Sequence, residues 1–425
     1  MGFPMNRRSF LAALGSAPLV TTFAQPILTS LASASPASHP FTASMWTYLW
    51  DLADEGYAQA FGRMKENGLT SVSLACAYHA GKFLAPHNPK RKVVFLEDGT
   101  VYFAPTPSKY GRIQPKINSL VGEGHSLATV RRESEKAGLE TRAWVVCCHN
   151  TPLGMAYPDI ACQTAHGDIV YHNLCPSNED VRAYLRGVVS DIASHGVSVI
   201  ELEAMQFQGY THGFHHEREG IVLPPSARFL LGLCFCPSCR QRFVGGPDRF
   251  DVLRESVRMT LETYFQDPDH TADRLPSFET LITGELADLM NWRKTAVASL
   301  AEELVDAVSS TEVHIRPLVS FDANARMMVG MDPHAVAQRT GGVLMPGYTK
   351  DGETLRPLIA ELRSLVGDRE IIVGFQVGLP ESGGRKEFLS RVNAARAQGI
   401  TSFNFYNYGF IPYGHLAWIR EALEA

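Results

Sequence analysis

The stretch V-S-V-I-E-L-E-A-M-Q-F, residues Val197 to Phe207, decides how this chain is read. Side chains of a strand alternate between its two faces, so Val199, Glu201, Glu203 and Met205 point one way and Ile200 and Leu202 the other. A glutamate is costly to bury unpaired, and two on one face cost more. The arrangement is economical where that face opens into a polar cleft. Such a cleft lies at the C-terminal ends of the parallel strands of an α/β barrel. The expectation is therefore a (β/α)8 TIM barrel of the α/β class, with Glu203 at its mouth.

The rest of the chain fits that frame. Strands are predicted at Ser44 to Asp51, Leu69 to Cys76, Thr141 to Cys148, Val313 to Phe321, Gly342 to Tyr348, Glu370 to Val377 and Thr401 to Tyr406, with the opening stretch as the fourth of eight. Helices are predicted between them: Tyr57 to Asn67, His125 to Ala137, Asp180 to Ser194, Glu353 to Val366, Lys386 to Gln398 and, last, His415 to Leu423. Several end at a glycine, the usual helix stop. Val93 to Phe103 reads as a hairpin around Asp98-Gly99. Residues 208–310 form a long insertion after strand four, with helices at Arg249 to Phe265 and Phe278 to Ser309. No G-x-G-x-x-G follows the first strand and no Walker loop is present, which disfavours nucleotide chemistry.

The chain has 425 residues, 45% hydrophobic and 20% charged, with a net charge of -5 and no long basic run, so nucleic acid is not an expected partner. Asn6-Arg7-Arg8-Ser9-Phe10-Leu11 is a paired-arginine motif followed by a weakly apolar run, with Ala32-Ser33-Ala34 offering small residues for cleavage. Residues 1–34 are read as a twin-arginine signal peptide and 35–43 as a linker. The barrel domain is 44–425, and the expected location is periplasmic or secreted. No other stretch approaches the roughly 20 apolar residues needed to cross a bilayer. Eight cysteines, at 76, 147, 148, 162, 175, 234, 236 and 239, show no disulfide-scaffold spacing.

Polar residues recur where strands end: Asp51, His79, His149, Asn150, Glu203, Asp322, Tyr348, Gln376, Asn404 and Tyr406. A barrel brings such ends to one mouth. Cleavage of a glycosidic bond needs a carboxyl group that donates a proton and a second carboxylate. Glu203 is the expected donor, and Asp322 or Glu201 the partner, with Asp51 a third choice. Glu201 has a structural alternative, an interior ion pair with Arg142 or Arg316. The substrate set is Trp46, Asp51, His79, His149, Asn150, His215, Tyr348, Gln376, Asn404 and Tyr406, facing a carbohydrate. Cys234, Cys236 and Cys239 form a C-x-C-x2-C group without a fourth ligand at close spacing. It is open to structural zinc, a disulfide or free thiols. His212, His215, His216 and Glu217 allow a metal-dependent sugar isomerase or epimerase as a second reading. For the hydrolase itself no metal or cofactor is assigned.

Three features together resemble the glycoside-hydrolase-type TIM barrels found among exported proteins and, more distantly, the catalytic barrel of family 42 beta-galactosidases. They are the strand-four V-I-E-L-E, the helix entry N-L-C-P-S-N-E-D-V-R and the insertion L-C-F-C-P-S-C-R-Q-R-F. The resemblance implies a glycosidase whose acid is Glu203. Retaining members of that clan have Asn before this acid and a Glu nucleophile ending strand seven. Here Leu202 and Gln376 occupy those positions. An inverting mechanism, or a non-catalytic periplasmic glycan-binding barrel, follows from that difference.

Overall fold

A computed structural model describes residues 41–211 and 216–425. The signal-peptide reading, most of the linker, and His212 and His215 lie outside these residues. Eight parallel strands form the centre: β1 (Thr42–Thr47), β2 (Ser71–Tyr78), β3 (Glu140–Val146), β4 (Val199–Glu203), β5 (His314–Pro317), β6 (Gly342–Pro346), β7 (Glu370–Gln376) and β8 (Ser402–Tyr406). Their order in the sheet is β5-β4-β3-β2-β1-β8-β7-β6. The ring closes between β5 and β6 through a Leu318–Leu344 bridge, where the Val319 amide donates to the Leu344 carbonyl at 2.8 Å. This is the expected (β/α)8 barrel.

Local chemistry sets the boundaries. The helix Glu179–Ala193 starts at Asn178, whose side chain accepts from the Asp180 and Val181 amides, with Glu179 and Asp180 in its first turn. The barrel strands before and after it bury apolar side chains such as Val145, Ile200 and Leu202. β4 stops at Glu203 because Ala204 turns left-handed (φ 54), so Met205 and Phe207 leave the strand alternation.

Several expected boundaries are corrected. β1 ends at Thr47, and Asp51 lies in the first turn of the helix Leu49–Glu55, accepting from the Tyr48 amide at 3.1 Å. Val93 to Phe103 is not one hairpin: Val93–Phe95 pairs with Lys82–Leu84, while Thr100–Val101 pairs with the end of β2. The Asp98 side chain is spent on the Ala80 amide (2.9 Å) rather than on a tight turn between two paired strands. The helix expected from Phe278 to Ser309 is split into Phe278–Thr283 and Ala287–Asp306, with Gly284 ending the first.

Inward-facing side chains fill the barrel in tiers. Lowest, Glu370 accepts from Arg316 Nε at 2.7 Å and from Ser402 Oγ at 2.7 Å. Above it sits Glu201 with Trp46, Ser73 and Asn404. Trp46 fits there because β7 carries Gly374: a methyl at that position would lie 2.7 Å from the indole ring.

Candidate active site

The two β4 glutamates share a face but not an environment. Glu201 is fully buried. Its Oε2 accepts from Trp46 Nε1 at 2.6 Å and Ser73 Oγ at 2.8 Å, and its Oε1 from Asn404 Nδ2 at 2.8 Å. Burial pushes its pKa up to about 7, against the pull of Arg142 and those hydrogen bonds. The alternative of a direct ion pair is not what is found: Arg316 is bonded to Glu370, and Arg142 acts on Glu201 only through its field. Glu201, Trp46 and Asn404 thus form one interior cluster, below the mouth where substrate contacts were expected.

Glu203, one tier higher, is half-buried, and its Oε2 accepts from Trp144 Nε1 at 2.9 Å. It is the one carboxylate that ends a barrel strand among the described residues. Its indole donor sits within a group of aromatic rings. Trp144 lies 4.9 Å from Tyr78, 5.6 Å from Tyr48, 5.9 Å from Trp46 and 6.1 Å from Tyr406, between ring centroids. Tyr348 extends the group beyond Tyr406 at 6.4 Å. Gln376 ends β7 beside Tyr406, its register partner on β8. His79 and His149 stack at 4.4 Å, next to Tyr78. The Nδ1–H of His79 donates to the Ala80 carbonyl at 2.7 Å.

Three of the expected site residues lie just past strand ends and also accept backbone amides there. Asp322 lies beyond the end of β5 and caps the helix Ala323–Met328, its Oδ1 accepting from the Ala325 amide at 2.7 Å. Asn150 caps the helix Thr151–Ala156 in the same way, through Leu153 at 3.0 Å. Asp51 is buried, and desolvation raises its pKa to about 7. A shallow cavity lined by Val244, Asp288, Asn291 and Trp292 belongs to the insertion, not to the strand ends.

The insertion contributes a second constellation. Cys234, Cys236 and Cys239 meet Cys175, and the four buried sulfurs all lie within 4.8 Å of one another. Cys175 Sγ is 3.5 Å from Cys236 and from Cys239, and 4.0 Å from Cys234. Four thiolates about 2.3 Å from one zinc stand ~3.8 Å apart, so the group has the donor set and spacing of a tetrahedral structural centre. Cys175 is the fourth sulfur that close spacing could not supply. Its signal was the N-L-C-P-S-N helix entry, where a cysteine precedes the cap. Against the effect of burial, hydrogen bonds from Cys162, Cys236 and Cys239 draw its thiol down to about 6.

No family model matches the chain, and no curated protein matches it. Solved structures do. The PgaB (BpsB) glycoside hydrolase domain from Bordetella bronchiseptica is similar over 87% of this chain and 95% of that one, at 13% identity and a TM-score of 0.52. The beta-galactosidase of Halorubrum lacusprofundi is similar at 11% identity and TM-score 0.55, over 90% of this chain. That of Rahnella sp. R3 gives 13% and 0.54, over 92%. What the chain shares with them is the (β/α)8 barrel fold. The chain spans 58% and 56% of the two galactosidases' own length. At these identities the likeness concerns the barrel.

Proposed function

We propose that this barrel hydrolyses a glycosidic bond, with Glu203 protonating the leaving oxygen. The observation that carries the reading is Glu203 itself: a half-buried carboxylate at the end of β4, hydrogen-bonded by Trp144, with the half-buried rings of Tyr406 and Tyr348 continuing the aromatic group from Trp144. Sugar rings present C–H faces that pack on such side chains, while the polar edges of His79, Tyr348, Gln376 and Tyr406 offer partners to hydroxyl groups. The fold shared with structures titled as glycoside hydrolases supports the same choice.

Asp322 is the proposed base. One of its oxygens is committed to the helix cap, and the other is left to activate water. With Gln376 ending β7, no glycosyl ester can form there, which favours single displacement with inversion. The test compares wild type, Glu203→Gln and Asp322→Asn on nitrophenyl glycosides and oligosaccharides, with the anomer of the first product read by NMR. Turnover that survives Glu203→Gln unchanged would sink the assignment.

Gln376 also favours a second reading, a glycan-binding barrel without turnover. Sugar affinity in both wild type and Glu203→Gln, with no product from either, would select it. Export by the twin-arginine route is proposed from Arg7-Arg8 and the apolar run behind them. Replacing both arginines with lysine should leave the protein in the cytoplasm.

A further inference from the structure

The small sheet formed by Lys82–Leu84 and Val93–Phe95 has two apolar faces. Its register pairs Lys82 with Phe95, Phe83 with Val94 and Leu84 with Val93. Phe83 and Val94 face inward. Val94 is buried, and the Phe83 ring packs 5.3 Å from Tyr48 and 4.8 Å from Phe410, within the aromatic group at the barrel mouth. Alternation puts Lys82, Leu84, Val93 and Phe95 on the opposite face. That face would ordinarily be polar. Instead Leu84 is 67% exposed, Val93 48% and Phe95 74%.

Charge frames this face. Lys82, Lys90, Arg91 and Lys92 are all exposed, and no acidic residue occurs from Gly81 to Leu96. Asp54, reached by Arg91 at 2.7 Å and Lys90 at 3.5 Å, offsets one of the four positive charges, and Glu97 and Asp98, directly after Leu96, are bonded to Ser119 and to the Ala80 amide. The excess stands against a chain whose net charge is -5.

We infer that this hairpin docks on an anionic lipid bilayer. Leu84, Val93 and Phe95 would enter the interfacial layer while the remaining cations meet the head groups, the combination that peripheral membrane sites use. Two of the three projecting side chains are aliphatic, which suits acyl chains better than stacked sugar rings. They stand on a narrow two-stranded ribbon, not in a concave groove shaped for a protein. Among the described residues no helix is long and apolar enough to cross a membrane, and the attachment inferred is a peripheral one. Because Phe83 ties the ribbon to Tyr48 and Phe410, docking sets the barrel mouth beside the lipid surface. The inference does not depend on the hydrolase reading.

The experiment floats the full chain with vesicles of phosphatidylglycerol and phosphatidylcholine, or phosphatidylcholine alone, at low and high salt. Wild type should bind the anionic vesicles and lose binding in high salt. The triple variant Leu84→Ser, Val93→Ser, Phe95→Ser should bind at least about tenfold more weakly, as should Lys82→Glu with Lys92→Glu, where two reversed charges act at the surface. Both variants carry the same leader as wild type and should keep its circular dichroism. Equal binding to both vesicle types, no binding, or binding untouched by the variants would overturn the inference. So would light scattering that shows a dimer abolished by the triple variant, because a second copy would then cover the face.

Discussion

Glu201 and Glu203 are two residues apart, yet the protein around them separates their chemistry. Glu203 has one indole donor and access to the mouth, and removal of its acid should act on turnover. Glu203→Gln should lower kcat by about 10²–10⁴ while the melting temperature stays near that of wild type. Glu201 is different, because its protonation is coupled to folding. A buried acid at about 7 binds more protons than the unfolded chain, whose ordinary value is 4.5, throughout the range between them. Stability from this group is therefore full at low pH, declines as pH climbs from 4.5 to about 7, and is level beyond. The difference of about 2.5 units corresponds to roughly 3 kcal/mol. Glu201→Gln should remove that slope. Its carbonyl can still accept from Trp46 and Ser73, and its amide can donate to Asn404 Oδ1, which has no partner when Glu201 is charged, once the Asn404 amide rotates. Urea denaturation from pH 5 to 8 would show the variant gaining on wild type, and parallel curves would refute the coupling. Strand alternation made the shared face of these glutamates legible in the sequence. Their difference in depth was not, since it is made by Trp46, Ser73 and Asn404 from three other strands.

At the scale of elements, the strands were found by their apolar runs and glycine stops, while their ends depended on capping that competes with strand pairing. Asp51, Asn150 and Asp322 are the clear cases. Each was read as a strand-end ligand, and each accepts a nearby backbone amide that sets where the strand stops. Asp and Asn favour such positions for the same reason that they resemble ligands, a short side chain with a strong acceptor. The cysteine centre shows the opposite limit. Three of the four clustered sulfurs were legible from C-x-C-x2-C, whereas Cys175 stands 59 residues before Cys234 and joins them only through folding. The protein should purify with about one zinc per chain by elemental analysis. Cys175→Ser should lower both metal content and melting temperature, because metal bound only by the folded chain stabilises it. An unchanged melt after chelation would remove the metal assignment. Packing across elements gives a second test. Gly374 leaves space for the Trp46 ring, and Gly374→Ala would place a methyl 2.7 Å from it. Overpacking of this kind costs about 1–3 kcal/mol. It should appear as a lower denaturation midpoint, together with altered tryptophan fluorescence.

Over the whole molecule, the ring of strands must be joined where the chain returns from the long insertion, and Arg316 stands at that seam. It extends from β5, donates to the Thr340 carbonyl just before β6, and meets Glu370 on β7, which also holds Ser402 on β8. One buried ion pair thus connects four consecutive positions around the barrel. No run of sequence announced it, because its members lie in four separate segments. Against the effect of burial, Arg316 and Ser402 hold the Glu370 carboxyl below its ordinary value. Its contribution to stability is therefore fully present above about 4.5 and is lost as pH falls through the lower folded value. Glu370→Gln leaves Arg316 buried without its counter-charge and should cost roughly 3 kcal/mol at pH 7. The gap from wild type should narrow below pH 4.5, the reverse of the trend for Glu201→Gln. Replacing both partners, Arg316→Met with Glu370→Leu, removes the stranded charge and should recover much of the loss. If the double variant is as unstable as Glu370→Gln, the pair joins the barrel through geometry that apolar packing cannot replace. If Glu370→Gln alone is neutral at pH 7, the seam is held by the Leu318–Leu344 bridge and the apolar packing around it.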